Sequence, residues 1–276
     1  MSPVMAVDIS AMDELKSRLK ATWMTGDYDV FARYLETGAD EFFRHLKIES
    51  GTSLLDVACG AGQLALIAAR AGVRTTGCDI ATNWLEKARV RAIAEGLHIA
   101  FREGDAEELP FPDASFDAVA SIFGAMFAPR PATVAAEMAR VCRRGGKIAM
   151  ANWTASGFIG RMFKAIARHI APPGMPSPVL WGDEAVVRER FGDALASLRC
   201  TPRMYRFEYP FPPAAVVEFF RVNYGPMARA FAALDTKSQA AMREELEDLW
   251  SSANTAGAGV TRLEAEYLEV VGIRAA

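Results

Sequence analysis

The chain reads as an α/β fold: a doubly wound, mostly parallel, seven-stranded sheet with helices ahead of it and a helical cap inserted late. Three observations predict this. Between residues 51 and 153, short apolar runs alternate with Ala- and Leu-rich helical stretches, the rhythm of βαβ units. Phe116 to Phe123 is an almost continuous apolar run, as strands covered on both faces are. After two helical tracts, Arg199 to Tyr209 and Thr261 to Ile273 return to strand-like character, which is enough to complete the sheet.

The elements follow in order. Asp13 to Ala21 and Val30 to Leu46 carry apolar residues at helical spacing. Gly51 breaks the pattern, and Ser53-Leu-Leu-Asp-Val-Ala58 is the first strand. Gln63 to Ala71 is a helix stopped by Gly72, and Val73 to Cys78 is the second strand. Ala81 to Glu95 is a helix stopped by Gly96, and His98 to Arg102 is the third strand. Phe116 to Phe123 is the fourth strand and Pro131 to Val141 a helix, after which Gly145-Gly146 turn into a fifth strand, Lys147 to Trp153. Residues 154–180 hold a short helix and a Pro-rich stretch, residues 183–191 a helix, and residues 213–253 two or three helices. We read residues 1–276 as a single domain: N-terminal helices over 1–50, a nucleotide-type core over 51–153, and sheet completion with a cap over 154–276. Crossovers are expected to be right-handed, with ligands outside the C-terminal strand ends where strand order reverses.

Composition narrows the function. The formal net charge is −3, and the densest basic stretches, Lys87 to Arg91 and Arg140 to Arg144, are short and sit on expected helix faces or ends. A nucleic-acid partner is therefore not expected, since phosphate neutralisation calls for a basic stripe. The four cysteines are far apart and the histidines number three, so no metal site is expected. Free thiols, the absence of a basic-then-apolar leader and the absence of a run of ~20 apolar residues point to a cytoplasmic protein without membrane insertion. Nothing in the sequence fixes an oligomeric state.

Three stretches carry chemistry. In Leu54-Leu-Asp-Val-Ala-Cys-Gly-Ala-Gly62 a strand ends, an acid stands at its edge, and a glycine turn opens a helix. Gly60 and Gly62 allow close backbone approach and dihedrals closed to side chains, while the helix start offers N–H groups and a positive dipole end to a carboxylate. Asp56 is suited to an ammonium group. The same turn also serves strand-to-helix junctions without a ligand. Asp79 follows about twenty residues beyond the glycines, the spacing at which an acid chelates ribose hydroxyls. Its other reading is a helix N-cap, a task that Thr82 or Asn83 is able to take over. Gly104-Asp-Ala-Glu-Glu-Leu-Pro-Phe-Pro112 follows the third strand. It places Asp105 to accept from an adenine amine, with the Ala106 N–H near the ring and Leu109 and Phe111 packed close by.

Together these stretches resemble class I S-adenosylmethionine (SAM) dependent methyltransferases over roughly residues 51–153. Asp56 to Gly62 resembles the family's first motif, and Asp79 its ribose-binding acid. Gly104-Asp105-Ala106, Leu109-Pro-Phe-Pro112 and Ser115-Phe116-Asp117 resemble the ubiquinone/menaquinone-biosynthesis-like subgroup, as does the turn Cys142-Arg-Arg-Gly-Gly-Lys147. The resemblance implies a Rossmann-like fold and SAM as cofactor. It implies a cofactor site of Asp56, Ala58, Gly60, Gly62, Asp79, Ile80, Asp105, Ala106 and Ile122, with Tyr28 closing over it. It is loose beyond residue 153, so the acceptor does not carry over.

Two other readings compete. Gly60-Ala-Gly-Gln-Leu-Ala65 also satisfies the loose dinucleotide rule of a nicotinamide-dependent oxidoreductase. Asp56 argues against that, because a carboxylate beside the turn repels a pyrophosphate. A non-catalytic SAM-binding protein is the other alternative, set against intact cofactor motifs. Among methyltransferases, Ser121-Ile-Phe-Gly-Ala-Met-Phe127 lacks the Pro-Pro-aromatic motif of exocyclic-amine enzymes, and Cys142 has no nucleophile's setting. The late segment is rich in aromatic and apolar groups: Phe158, Met162, Phe163, Trp181, Phe207, Tyr209, Phe211, Phe219, Phe220, Tyr224 and Phe231. Most are expected to pack, yet an apolar lid also sheds water over a reacting sulfonium. A small, largely apolar acceptor is expected, methylated on oxygen or carbon. The polar candidates for catalysis are His169, whose ordinary pKa suits a base, Tyr224, Tyr209 and Arg221.

Overall fold

The computed structural model describes residues 9–257 and 259–276. Seven strands form one sheet in the order β3-β2-β1-β4-β5-β7-β6. They are β1 Ser53–Val57, β2 Arg74–Asp79, β3 Ala100–Glu103, β4 Phe116–Ile122, β5 Cys142–Trp153, β6 Leu195–Tyr209 and β7 Thr261–Arg274. The first five are parallel. β7 runs antiparallel between β5 and β6, placing Trp153 opposite Tyr267 and Phe207 opposite Leu263. β6 is thus joined to the sheet only through β7.

The helices are α1 Ile9–Trp23, α2 Tyr28–Arg33, α3 Glu36–Leu46, α4 Gln63–Arg70, α5 Thr82–Ala94, α6 Pro131–Val141, α7 Phe158–Ile166, α8 Glu184–Phe191, α9 Pro213–Asn223, α10 Gly225–Ala232 and α11 Thr236–Ala253. From β1 the chain steps to β2 and β3 on one side and reaches β4 and β5 on the other. Right-handed crossovers then put α4 and α5 on one face and α6 on the opposite face. The reversal of strand order lies between β1 and β4, where ligand crevices form in such sheets. Among the described residues no helix is long and apolar enough to cross a membrane.

Three expectations need correction. Val30 to Leu46 is not one helix but α2 and α3, broken at Tyr34–Leu35. The Leu35 carbonyl accepts the Tyr205 hydroxyl from β6, and Gly38 leaves room for the Tyr205 ring, so a tertiary contact overrides helical periodicity. β5 begins at Cys142 rather than Lys147; its pairing jumps from Phe116–Cys142 to Ala118–Lys147, and the Gly145-Gly146 turn is carried inside the strand as a bulge. α5 is not capped by Thr82 or Asn83: Asn83 donates instead to the Met24 carbonyl at 3.2 Å, and Asp79 takes the Ala81 N–H at 2.7 Å.

Candidate functional site

A cavity of about 440 Å³ opens at the C-terminal ends of β1, β2 and β4. One end of it is polar. Ala58 and Gly60 line it from the turn after β1, Asp79, Ile80 and Ala81 from the end of β2, and Gly104, Asp105 and Ala106 from the loop after β3. The other end is apolar, walled by Trp23, Phe31, Leu35, Phe123, Phe127, Trp153, Ile159, Met162, Phe207, Phe220 and the ring of Tyr224, with Tyr28 lying against Gly60 where the two ends meet.

Local backbone geometry shapes the polar end. Gly60 has φ +53°, and a Cβ there would stand 3.0 Å from Tyr28 Cε1, so both the turn and the close approach of Tyr28 call for glycine. Gly62, at φ +82°, begins α4 and packs towards Ala88 and Phe101. Two non-glycine residues, Ala58 at φ +55° and Phe123 at φ +58°, hold left-handed conformations at the ends of β1 and β4. Such strain costs roughly 1–2 kcal/mol per residue and concentrates at functional sites.

The acids differ in how they are held. Asp79 accepts the Gly60 N–H at 2.8 Å on one oxygen and the Ala81 N–H at 2.7 Å on the other. Burial nevertheless lifts its carboxyl above the ordinary range, against the lowering effect of those N–H groups. Asp56 is completely buried; Oδ2 accepts the Ala65 N–H at 3.1 Å, while Oδ1 has no partner. Burial first, and the nearby Asp79 charge second, push its carboxyl well above the ordinary range. Asp105 Oδ1 accepts the Glu107 N–H at 2.9 Å, and Oδ2 accepts from Lys16 Nζ at 2.6 Å. Cys78 also lines the cavity, its thiol pushed up to about 12 by burial.

At the apolar end, Trp23 and Phe31 hold the two tyrosines. Tyr28 and Tyr224 have ring centroids 6.5 Å and 5.8 Å from Trp23, and 5.4 Å and 5.0 Å from Phe31. Phe123 stacks on Trp153 at 3.6 Å. Burial raises the phenols of Tyr28 and Tyr224 well above their ordinary value, so both are neutral donors at physiological pH.

Several anticipated residues lie off the cavity wall. Asp56, Gly62 and Ile122 stand behind it. His169 does not line it: Nε2 lies 2.8 Å from Glu245 Oε2 on α11, a half-buried pairing. Tyr209 is buried among Tyr34, Phe211, Phe219, Phe220 and Trp250, and Arg221 is turned to Glu218. Of the late aromatic and apolar set, Met162, Phe207, Phe220 and Tyr224 face the cavity, while Phe158, Trp181 and Phe231 belong to the core. Sequence reasoning missed Lys16, Ser17, Leu19, Lys20 and Trp23 of α1, which form one wall. Only the amphipathic spacing of that helix hinted that one of its faces is covered.

Residues 55–150 match the family model described as a methyltransferase domain. A Mycobacterium tuberculosis protein of uncharacterised function is 38% identical over 215 residues, covering 77% of this chain and 78% of its own. Demethylmenaquinone methyltransferase of Deinococcus radiodurans is 38% identical over 154 residues, 52% of this chain and 64% of that one. Among solved structures, phosphoethanolamine N-methyltransferase 2 of Haemonchus contortus, in complex with phosphomonomethylethanolamine and S-adenosylhomocysteine, superimposes with a TM-score of 0.57 at 16% identity, over 87% of this chain and 53% of that one.

Proposed function

Because this chain belongs to the class I SAM-dependent methyltransferases and takes SAM as its cofactor, we propose that it methylates a small, largely apolar acceptor, on oxygen or carbon, in the aromatic end of the cavity. The observation that carries this reading is the division of one continuous cavity into a carboxylate-bearing end and an aromatic end.

The residues at the polar end fit the cofactor. Asp79 spends two acceptor sites on backbone N–H groups, and a carboxylate has about four, which leaves two for a ribose diol. The unpartnered Asp56 Oδ1, behind the wall, suits an ammonium group through a water, and Asp105 with the Ala106 backbone suits the adenine edge. Gly60, Ile80 and Ala58 supply close, uncrowded walls, with Tyr28 lying over Gly60.

When bound, the cofactor would supply an electrophilic methyl group to which the acceptor bonds as the C–S bond breaks, with S-adenosylhomocysteine as the leaving group. The chain's contribution is to hold the acceptor in that line and to exclude water. Trp23, Phe31, Trp153 and Phe220 do both by their bulk. The Tyr224 hydroxyl orients the acceptor by donating to it; a neutral phenol this deeply buried does not serve as a base. The test is a panel of small phenols, quinols, amines and thiols, scored by release of S-adenosylhomocysteine. Turnover with phenols or quinols supports the reading. Turnover confined to tRNA, rRNA or a protein overturns it.

A further inference from the structure

Lys16 connects the N-terminal helix to the base-reading loop. The far end of α1 is fixed: Trp84 Nε1 donates to the Trp23 carbonyl at 2.6 Å and Asn83 to that of Met24 at 3.2 Å. Two turns back, Lys16 Nζ lies 2.6 Å from both Asp105 Oδ2 and Glu107 Oε2. The Glu107 side chain is wholly buried; Arg130 Nε donates at 2.7 Å to the same oxygen, Oε2, and the Arg130 backbone N–H donates to Oε1. One ammonium therefore separates two carboxylates, and it faces the cavity. Next to it Lys20 Nζ holds Glu103 at 2.5 Å.

We propose that Lys16 is a positioning residue for the cofactor: it holds Asp105 as the acceptor that reads the adenine 6-amino group, making α1 part of the base-recognition site. This rests on the SAM reading of the cavity. Without Lys16, Asp105 faces a Glu107 carboxylate whose remaining cation is Arg130. Like charges left without the cation between them repel. Glu107 is locked by Arg130 and by burial, whereas the Asp105 side chain is 31% exposed and keeps only the Glu107 N–H on Oδ1. Asp105 then turns Oδ2 away from Glu107, and the acceptor is lost. A purely structural lysine gives a different signature, weakening every ligand of the cavity alike.

The experiment compares S-adenosylhomocysteine with S-inosylhomocysteine, whose base carries an oxo group in place of the amine, by calorimetric titration. The wild type is expected to prefer the adenine compound by at least about tenfold, the worth of one hydrogen bond to a charged group. Lys16→Met should bring that preference to within about twofold of unity, and Lys16→Arg should retain it. Glu107→Gln in the Lys16→Met background removes the repulsion and should restore the preference. Equal weakening of both compounds by Lys16→Met, an unchanged preference, or no preference in the wild type overturns the proposal while leaving SAM binding standing. Failure of the wild type to bind S-adenosylhomocysteine overturns the cofactor reading itself.

Discussion

Replacing Asp79 with alanine tests the polar end most directly. Each oxygen of this carboxylate already accepts one backbone N–H, from Gly60 at 2.8 Å and from Ala81 at 2.7 Å, so each retains one acceptor site for a ribose hydroxyl. A hydrogen bond to a charged group is worth about 1.5–3 kcal/mol. Losing two therefore removes about 3–6 kcal/mol, or about 10²–10⁴-fold in affinity at ~1.4 kcal/mol per decade. Relief of the Asp79 desolvation penalty, seen in its raised carboxyl pKa, places the expected result at the lower end of that range. The assay is titration of S-adenosylhomocysteine into wild type, Asp79→Ala and Asp79→Asn, with melting curves to verify folding. The amide keeps one acceptor oxygen and should lose less. A 2′-deoxy analogue should bind the wild type more weakly than the parent compound but differ little against Asp79→Ala, because the hydroxyl's partner is gone. Wild-type affinity in the alanine variant, or a full 2′-deoxy penalty retained there, would refute the reasoning.

Other outcomes follow from the same geometry. Gly60→Ala should weaken cofactor binding by at least about tenfold, since φ +53° costs a side chain roughly 1–2 kcal/mol and the new Cβ meets Tyr28; unchanged affinity would show that the loop relaxes freely. Cofactor binding should release protons, measured by calorimetry in buffers of different ionisation heat: burial holds the Asp56 carboxyl high in the free protein, a cationic ammonium lowers it, and affinity therefore rises with pH until Asp56 is ionised without ligand. The sign for folding is opposite. A carboxyl raised in the folded state stabilises fully below the ordinary carboxylate range, and that contribution is lost as pH climbs through the raised value, so the ligand-free melting temperature should fall in that window. His169→Ala should leave turnover intact, its imidazole being paired with Glu245; a large loss of kcat would return it to the site. A fragment ending at residue 153 should be insoluble, because it bares the β5 edge and the aromatic core that β6 and β7 cover; a soluble fragment that binds S-adenosylhomocysteine would count against one cooperative unit.

What could be read in advance follows from where the determining forces are local. Gly60, Asp79 and Asp105 stand at strand ends, and their spacing is set by the length of a strand, a turn and a helix, so one stretch of chain carries the information. The strands themselves were marked by apolar runs between glycines. The wall formed by Lys16 and Trp23 was not marked, because it exists only once α1 lies across loops nearly ninety residues away, as the 89-residue separation of Lys16 from Asp105 shows. The break between α2 and α3 depends likewise on a hydroxyl from β6. His169 misled for a chemical reason: a lone histidine in an apolar segment attracts a catalytic reading, yet its direction is decided by Glu245 on a distant helix.

The place of β7 has a consequence for how the molecule is made. β6 is synthesised before β7 but hydrogen-bonds only to it, and three helices are translated between the two. During that interval Phe207, Tyr205 and Tyr209 have no sheet to join, while β5 presents an open edge. Contacts of such long sequence separation close slowly. The nascent chain thus carries two unsatisfied strand edges until residues 261–274 arrive and lock both at once. Chaperone dependence during translation, rather than fragility of the finished enzyme, is where the topology should be felt.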